Sequence, residues 1–311
     1  MSKAGDKYDF PPHHEKRLQE KGYTISTLLN SGKYGLVCNG SATVNGSTIN
    51  TAVKIIDLTK TSADYRNKFL PKELYSLDTL KHEFIIKIYD IILITNTVYV
   101  FMERADGGDL FDMLKDSAYK SGIPEPKAKI LYKGIASALQ YIHGRGWAHR
   151  DLKSENVLLN ADKTIAKLTD FGFSTSCFNT QTGEKVLKDT YCGSPFYAAP
   201  EVLRAQPYDA FKTDVWSMGV VLYIMVNNKM PFSNALLQKL AKLDPNSKTP
   251  IQITKNSISN DCKDLMLCKT PIQITKNSIS NDCKDLMQKQ LDINTRTRID
   301  MAHVLSHQWF K

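Results

Sequence analysis

The spacing of apolar residues changes once along this 311-residue chain, and the change limits the possible fold more than any other feature. Before residue 106, β-branched and aromatic residues form short runs that predict strands. Beyond it, apolar residues recur with helical spacing, as in Leu131 and Ile135. Strands followed by helices predict an α+β protein in two lobes. The predicted parts are an N-lobe (23–102), a hinge (103–105) and a C-lobe (106–310).

Two segments interrupt the strand-rich part. Residues 1–22 are polar and lack a clear period, which predicts a mobile N-terminal arm ahead of one folded domain over 23–310. A single helix is predicted between the strands, with Leu70 and Leu74 on its apolar face. Pro71 is compatible with that helix only in the first turn, where its missing N–H is not needed.

The composition argues against several classes of protein. The net charge of +9 could indicate nucleic-acid binding, but no basic run of five or six residues occurs, so we expect no nucleic-acid partner. No apolar run reaches the roughly 18 residues of a membrane span. The six cysteines are irregularly spaced and form no C-x-x-C pair, which is typical of a protein in the reducing cytoplasm.

Residues 149–156 read His-Arg-Asp-Leu-Lys-Ser-Glu-Asn and combine an acid, a cation and an amide at short spacing. Asp151 could accept a hydroxyl proton, Lys153 could neutralise a moving phosphate, and Asn156 could hold a metal ion. The alternative is a polar surface loop, since these residue types favour turns. Eight ordered residues that match one catalytic-loop signature favour the catalytic interpretation.

Two features of the strand-rich part suit phosphate binding. Gly32 and Gly35 lie between the first two predicted strands, where backbone N–H groups can approach phosphate oxygens. Asn30 occupies the first position of the pattern Gly-x-Gly-x-x-Gly, and asparagine tolerates the positive φ expected there. Lys54 interrupts an apolar strand, either as an edge lysine in water or as a phosphate-binding cation oriented by Glu73.

Two further motifs complete an ordered set. Asp-Phe-Gly at 170–172 follows the catalytic loop, and Asp170 supplies a hard carboxylate oxygen for a metal ion, with Asn156 completing a second metal site. Ala-Pro-Glu at 199–201 comes next. An isolated Asp-Phe-Gly is common by chance, but its place in this order is specific.

The ordered motifs resemble those of eukaryotic protein kinases over residues 23–310, and Lys153 is typical of the serine/threonine type. Longer stretches, among them 52–57 and 192–201, are similar to the testis-specific serine/threonine kinases of the calmodulin-dependent-kinase group. The resemblance implies transfer of the ATP γ-phosphoryl group to protein hydroxyls, with Mg²⁺, in a monomeric domain of male germ cells. The alternative is a pseudokinase, a nucleotide-binding scaffold without phosphoryl transfer, supported only by Asn30 and a duplicated segment.

The resemblance assigns roles to single residues. Asp151 would orient and deprotonate the substrate hydroxyl, and Lys153 would stabilise the transferred phosphate. Asp109 would reach the ribose of ATP or cap the helix from Leu110, and the two roles are compatible. Met102 would be the gatekeeper. The implied nucleotide-binding set is Asn30, Gly32, Gly35, Val37, Ala52, Lys54, Glu73, Met102, Glu103, Ala105, Asp109, Asn156, Leu158 and Asp170, with Mg²⁺ on Asn156 and Asp170.

The resemblance also implies regulation. Thr190 matches an activation-loop phosphosite, and Ser194 matches the hydroxyl that positions the substrate against Asp151 and Lys153. Arg150 would pair with a phosphate of about −2 charge on Thr190. We therefore expect activation by phosphorylation, with a possible upstream kinase. The family resemblance separately implies a chaperone that helps the chain to fold.

Two residues are assigned to the scaffold by the same resemblance. Asp214 opens a long apolar run and would brace the backbone of the catalytic loop. Arg296 would form a structural ion pair with Glu201.

Substrates with a basic residue upstream of the target would need acidic partners, and Asp109 and Glu155 could serve. Ile224 occupies a place where strongly basophilic kinases carry glutamate. We therefore expect only a moderate basic preference.

Residues 248–266 are repeated without change at 269–287, 21 positions later. Two copies are too few for a solenoid, so the repeat is interpreted as an insertion in the helical lobe. Each copy carries one predicted helix, 259–266 or 280–287, but the helical lobe has room for only one of them. The second copy, which runs into Leu291, is expected to fill it, and the first to form a surface excursion.

Overall fold

The computed structural model describes residues 5–6, 8, 11–32, 35–44, 46–242, 253–254, 272–273 and 279–311. The chain divides into two compact units, Met1–Asp106 and Gly107–Lys311. The boundary follows directly on the predicted hinge, and strands dominate the first unit while helices dominate the second. The predicted α+β fold class is therefore confirmed.

The N-terminal unit is built on one antiparallel sheet of five strands in the order β1-β2-β3-β5-β4. Successive side chains of β3 and β5 point to opposite faces of the sheet, and apolar residues are buried on both faces. Val53 and Phe101 are buried on one face, and Ile56 and Val100 on the other. The strands are β1 (Tyr23–Gly32), β2 (Gly35–Val44), β3 (Ser47–Asp57), β4 (Ile88–Ile94) and β5 (Thr97–Glu103).

Helix α1 (Pro12–Glu20) precedes the sheet, which corrects the expectation of an N-terminal arm for residues 12–20. It buries His14 and Leu18, four positions apart on one face. Leu18 belongs to the core cluster that contains Phe101, and His14 Nδ1 lies 2.7 Å from the buried hydroxyl of Tyr99. Burial lowers the pKa of His14, so its ring is neutral at pH 7. The helix was not predicted because only His14 and Leu18 form its buried face, and a histidine does not count as apolar in a sequence pattern.

Helix α2 (Leu70–Thr79) follows directly on one π-helical turn, Tyr65–Phe69, and Pro71 lies in its first turn as predicted. Leu74 packs against the face of the sheet that carries Ile56 and Val100. The same helix buries the carboxylate of Glu73, which brings a charged group to the sheet.

The C-terminal unit is mainly helical. Its central helix is buried along almost its whole length, and it begins where the Asp209 carboxylate accepts a hydrogen bond from the N–H of Phe211. No helix in the described part of the chain is long and apolar enough to cross a membrane. The helices are α3 (Leu110–Lys115), α4 (Glu125–Gly144), α5 (Pro200–Leu203), α6 (Ala210–Asn227, the central one), α7 (Asn234–Leu240), α8 (Asn281–Gln290) and α9 (Met301–Val304).

Short antiparallel strand pairs lie on either side of the segment 149–156. Strand β6 (Trp147–Ala148) leads into it and pairs with β9 (Thr175–Ser176). Strand β7 (Val157–Leu159) leaves it and pairs with β8 (Ala166–Leu168). Both ends of the segment are thus fixed by backbone hydrogen bonds.

The predicted ion pair between Arg296 and Glu201 is wrong, because Arg298 takes that place. Arg298 binds the two oxygens of Glu201 at 2.6 and 3.1 Å, and its side chain is fully buried. Arg296 is exposed, with its N–H bound to the Asn294 side chain. The turn at Asn294 directs the second arginine inward, and this path is not readable from the sequence Thr-Arg-Thr-Arg.

Helix α8 is formed by the second copy of the repeat, as predicted. Ser280 caps it by accepting a hydrogen bond of 3.1 Å from the N–H of Cys283, and the N–H of Ser280 donates to Glu125 at 2.8 Å. The helix candidate of the first copy, 259–266, lies outside the described residues. The two copies meet in one short parallel pair, in which β10 (Ile253–Thr254) lies beside β11 (Ile272–Gln273).

The residues that follow each copy explain why the second one is used. Gln290 and Leu291 come after the second copy and are fully buried, and Gln290 Nε2 donates to the hydroxyl of Tyr132 at 2.8 Å. The corresponding residues after the first copy are Lys269 and Thr270. Burying a lysine charge in the place of Gln290 is costly, because the charge is removed from water.

Candidate active site

The predicted site residues are divided between the two units. In the N-terminal unit, Lys54 on β3 pairs with Glu73 on α2, with 2.5 Å between Nζ and Oε1. Glu73 is buried, and its Oε2 accepts a hydrogen bond of 2.9 Å from the hydroxyl of Tyr65. A buried carboxylate is stable as an anion only with such partners. Because β3 is an inner strand, Lys54 is not an edge lysine.

Four predicted nucleotide-binding residues share one face of the sheet. Val37 on β2 lies directly opposite Lys54, and Met102 on β5 lies directly opposite Ala52. Side chains alternate along a strand, so Ala52 and Lys54 point to the same side. The strand register therefore places one cation among three apolar side chains.

The turn between β1 and β2 carries Gly32 and Gly35, which pair with each other. A Cβ on Gly35 would overlap the carbonyl oxygen of Ile55 on β3, so glycine is required there. Asn30 is an ordinary strand residue opposite Val37, and the expectation that it has a positive φ is wrong. Its side-chain oxygen instead accepts a hydrogen bond of 2.8 Å from the next N–H in the chain. Residues 33–34 lie outside the described residues.

Glu103 and Ala105 follow β5 at the predicted hinge. The N–H of Glu103 donates to the carbonyl of Lys87 at 2.8 Å, and its carboxylate accepts from the N–H of Lys87 at 3.2 Å. Arg104 pairs with Asp106 at 2.7 Å. The first residue of the hinge is therefore fixed to the neighbouring strand region.

In the C-terminal unit, Asp214 on α6 holds the backbone of the predicted catalytic loop, which confirms its expected role. Its Oδ2 accepts from the N–H of His149 and its Oδ1 from the N–H of Arg150, both at 2.8 Å. His143 Nε2 lies 2.9 Å from the same Oδ2. With 1% exposure, Asp214 depends on these partners for its charge.

Asp151 is the centre of the hydrogen bonds in this loop and is 5% exposed. Lys153 Nζ donates to Oδ2 at 2.8 Å, and Ser194 Oγ donates to Oδ1 at 2.9 Å. Asn156 Nδ2 donates to the backbone carbonyl of Asp151 at 2.8 Å. Three predicted residues, Lys153, Ser194 and Asn156, are thus brought together around Asp151.

Two residues of the predicted motifs have a left-handed backbone, Arg150 with φ of 65° and Asp170 with φ of 61°. Such conformations cost roughly 1–3 kcal/mol each and persist where the surroundings fix them. His149 supplies part of that fixing. Its Nε2 donates to the carbonyl of Thr169 at 3.0 Å, and its Nδ1 accepts from the N–H of Asp151 at 3.3 Å. The imidazole of His149 thereby links the catalytic loop to the residue before Asp170.

Thr190 and Arg150, the predicted phosphosite and its partner, are connected through Tyr208. Thr190 is exposed, and its carbonyl accepts a hydrogen bond of 2.8 Å from the Tyr208 hydroxyl. Arg150 Nη1 lies 3.4 Å from that hydroxyl, and Arg150 Nε donates to the carbonyl of Phe173 at 2.7 Å. Within the described residues Arg150 makes no ion pair with a carboxylate, so its charge is not neutralised there.

Asp109 caps α3, as one of its two predicted roles requires. Its Oδ1 accepts a hydrogen bond of 2.7 Å from the N–H of Asp112, and its backbone bridges to Leu158 on β7. Burial raises the pKa of Asp109, and the charges of Asp112 and Glu155 act in the same direction. Asp109, Asp112 and Glu155 therefore lie close enough to interact electrostatically, together with Lys115.

Three residues of the site escape sequence reasoning: Tyr208, Tyr197 and Ser154. Ser154 Oγ lies 2.8 Å from the hydroxyl of Tyr197 and donates to Glu155 at 3.0 Å. Buried tyrosines and serines have no chemical signature of their own in a sequence. The position of Ser154 between Lys153 and Glu155 is the one signal that could have found it.

Oxygen ligands for Mg²⁺ are available from Asn156 and Asp170. The amide nitrogen of Asn156 is used by Asp151, which leaves the amide oxygen as the end that can face a cation. No group of three or more His, Cys, Asp or Glu side chains in the described ranges could hold a metal ion. The donor set therefore fits Mg²⁺ that is bound together with nucleotide phosphates and water, which is its usual manner.

Comparisons with known proteins agree with this geometry. The protein kinase domain family matches residues 23–310. Testis-specific serine/threonine-protein kinase 2 of Mus musculus is 37% identical over 295 residues, which cover 94% of this chain and 75% of that protein. Testis-specific serine/threonine-protein kinase 3 of Mus musculus is 38% identical over 253 residues, covering 81% and 90%. This chain therefore belongs to the protein kinase family, among its serine/threonine members, and is similar to the testis-specific kinases.

Proposed function

We propose that this chain is an active kinase that transfers the γ-phosphoryl group of ATP to serine and threonine hydroxyls of proteins. The supporting observation is the carboxylate of Asp151, which Lys153 and Ser194 approach at 2.8 and 2.9 Å. An acid, a cation and a hydroxyl at such distances can hold an attacking oxygen and a phosphate in line.

In this reaction Asp151 orients the substrate hydroxyl and accepts its proton as the oxygen attacks. Lys153, whose side chain is 20% exposed, offsets the negative charge of the transferred phosphate. Asp214 holds the loop backbone in advance through two N–H bonds, so little reorganisation is needed when the substrate binds.

The remaining residues serve the nucleotide. Lys54, oriented by Glu73, binds phosphate oxygens, and the sheet face around Ala52 contacts the base. Asn156 and Asp170 hold Mg²⁺, which neutralises phosphate charge when bound. The short Lys54–Glu73 distance of 2.5 Å supports this role, because the lysine needs no movement to become oriented.

Phosphorylation of Thr190, by an upstream kinase or by the enzyme itself, activates the enzyme in this proposal. A phosphate of about −2 charge would form charge-assisted hydrogen bonds to Arg150, whose backbone adjoins Asp151. The contacts through Tyr208 support the proposal, since they already connect the two residues. In protein never exposed to ATP, Thr190→Ala should show no more than the low activity of the unphosphorylated wild type.

The preferred substrates carry a basic residue upstream of the target. Asp109 and Glu155 supply negative charge beside the catalytic loop. Ile224 is 6% exposed and adds no carboxylate, so the preference is moderate. A peptide array without enrichment of arginine or lysine upstream of the target would contradict this part of the proposal.

Phosphosite mapping after incubation with magnesium-ATP tests the main proposal. We expect phosphate on an added basic protein and on Thr190, and none with Asp170→Asn. A wild type that carries phosphate on Thr190, binds ATP and transfers nothing would instead be a pseudokinase. Asn30, one of the two features that suggested this alternative, lies on β1 opposite Val37.

A further inference from the structure

Glu155, assigned above to substrate recognition, is held by neighbouring hydroxyls. Its side chain belongs to an exposed residue, yet Oε2 accepts a hydrogen bond of 3.0 Å from Ser154 Oγ. The hydroxyl of Tyr197 lies 3.4 Å from the same oxygen. An exposed glutamate normally samples several rotamers and loses that freedom when it binds a cation. Fixing the rotamer beforehand removes part of this penalty.

The three groups form a directed chain of hydrogen bonds. A carboxylate only accepts, so the hydroxyl of Ser154 donates to Glu155. Since Ser154 has a single hydroxyl proton, Tyr197 must donate in the 2.8 Å contact between its hydroxyl and Ser154 Oγ. The chain ends on a charged acceptor, which strengthens each of its members.

Both hydroxyls are sheltered from water. Ser154 is fully buried and Tyr197 is 4% exposed. Burial raises the pKa of Tyr197 to about 12, so the hydroxyl keeps its proton at neutral pH. Breaking the chain would leave buried polar atoms without partners, which is unfavourable, and this keeps the arrangement in place.

Tyr197 belongs to the segment that carries Thr190 and Ser194. It ends the turn Pro195–Tyr197, directly after Ser194. Its backbone carbonyl accepts a hydrogen bond of 2.8 Å from Ser217 Oγ on α6. The position of the Tyr197 hydroxyl, and with it the rotamer of Glu155, therefore depends on how this segment folds against α6.

We propose that Ser154 and Tyr197 are positioning residues for substrate selectivity, which hold the Glu155 carboxylate ready for an arginine or lysine side chain upstream of the target. The inference rests on the proposed function, since it needs both phosphoryl transfer and the basic preference. It adds that selectivity depends on the segment around Thr190, because Tyr197 connects that segment to Glu155.

The test measures kcat/KM of the full chain for two peptides that differ only in one upstream arginine replaced by alanine. The ratio of the two values is the selectivity, and a general loss of folding or catalysis cancels from it. We expect the wild type to favour arginine and Glu155→Gln to lose most of this preference. Ser154→Ala should lower the ratio by about three- to tenfold through the KM of the arginine peptide, the effect of one lost hydrogen bond. Tyr197→Phe should lower it less, because the bond from Ser154 to Glu155 remains.

Ser306→Ala is the matched control, since it removes an exposed serine hydroxyl that donates to the backbone carbonyls of Ala302 and His303 instead. It should keep the wild-type ratio. A wild-type ratio in Ser154→Ala would overturn the inference, whether or not both peptides react more slowly. A wild type that transfers phosphate without preferring arginine overturns the inference and the basic preference together. A wild type without any transfer overturns the proposed function itself.

Discussion

Two carboxylate–cation pairs of the C-terminal unit have similar distances but different surroundings. Arg298 binds both oxygens of Glu201, at 2.6 and 3.1 Å, and its side chain is fully buried. Lys153 binds one oxygen of Asp151 at 2.8 Å, and its side chain is 20% exposed. The other oxygen of Asp151 accepts a hydrogen bond from Ser194.

The difference lies in what each pair can still bind. Arg298 also donates to the backbone carbonyls of Asp292 and Lys212, so its donors are directed at the protein interior. An ammonium group has three donors, and the contacts of Lys153 with Asp151 and Ser194 account for two. One pair is closed and can only stabilise the fold, while the other is open and can take a phosphate oxygen. Accessibility, rather than distance, separates this structural ion pair from the pair that we propose to be catalytic.

The largest effect is expected for Asp151→Asn, which should lower activity but not stability if the pair with Lys153 is catalytic. Asparagine has the same shape and can still accept from Ser194, but it cannot take a proton. We expect phosphoryl transfer to fall by about 10²- to 10⁴-fold. The melting temperature should change by no more than about 2 °C, because packing is kept. Transfer assays and thermal unfolding measure the two effects, and a large loss of stability with intact transfer would reverse the assignment.

Arg298→Met should give the opposite result. It leaves the buried carboxylate of Glu201 without its partner, and we expect a loss of about 3–5 kcal/mol in the free energy of unfolding, measured with urea. Arg296→Met is the matched control, two positions away and exposed, with an expected change within about 0.5 kcal/mol. Equal losses in both variants would contradict the identification of Arg298 as the structural partner.

Deleting residues 248–268 tests whether the first copy of the repeat contributes to the stability of the C-terminal unit. Helix α8, its cap Ser280 and the buried Gln290 all come from the second copy or the residues after it. We therefore expect thermal unfolding to show an unchanged or higher melting temperature. A large fall would mean that the first copy is an integral part of the fold.

The smallest effect is expected at Asp109, a carboxylate held by a backbone N–H. Burial raises its pKa above the ordinary value of 3.8, so the folded state binds more protons than the unfolded state just above that pH. The stability contribution of Asp109 therefore falls as pH rises from about 3.8 through its raised pKa. Asp109→Asn keeps a capping side chain and does not titrate. The free energy of unfolding, measured with urea over a pH series, should rise for the variant relative to the wild type as pH increases. A difference that stays constant with pH would contradict this.

Much of the site could be predicted because its residues are close in the chain. Asp151, Lys153 and Asn156 lie within six positions, so one loop brings them together whatever surrounds it. Lys54 and Glu73 are nineteen positions apart, but each lies on a regular element with a readable period. The change from strand to helix spacing likewise gave the fold class, since both periods are local properties.

The parts that could not be predicted depend on long-range packing. Arg296 and Arg298 have the same chemistry, and only the path of the turn decides which one is buried. Tyr208 and Tyr197 act through hydroxyls whose partners are distant in sequence. Asn30 was expected to have a positive φ, but it lies on β1 opposite Val37 and has none.

Helix α1 decides where a fragment of this protein can be cut. The family match begins at residue 23, yet the core of the N-terminal unit already includes Leu18, and His14 supplies a partner for the buried hydroxyl of Tyr99. A fragment trimmed to 23–310 would uncover the apolar surface beneath Leu18 and remove that partner, at a cost of roughly 2.5–6 kcal/mol. Since a whole domain is typically stable by only about 5–15 kcal/mol, such a fragment would be poorly soluble or unfolded. The shortest piece suitable for expression therefore begins before Pro12.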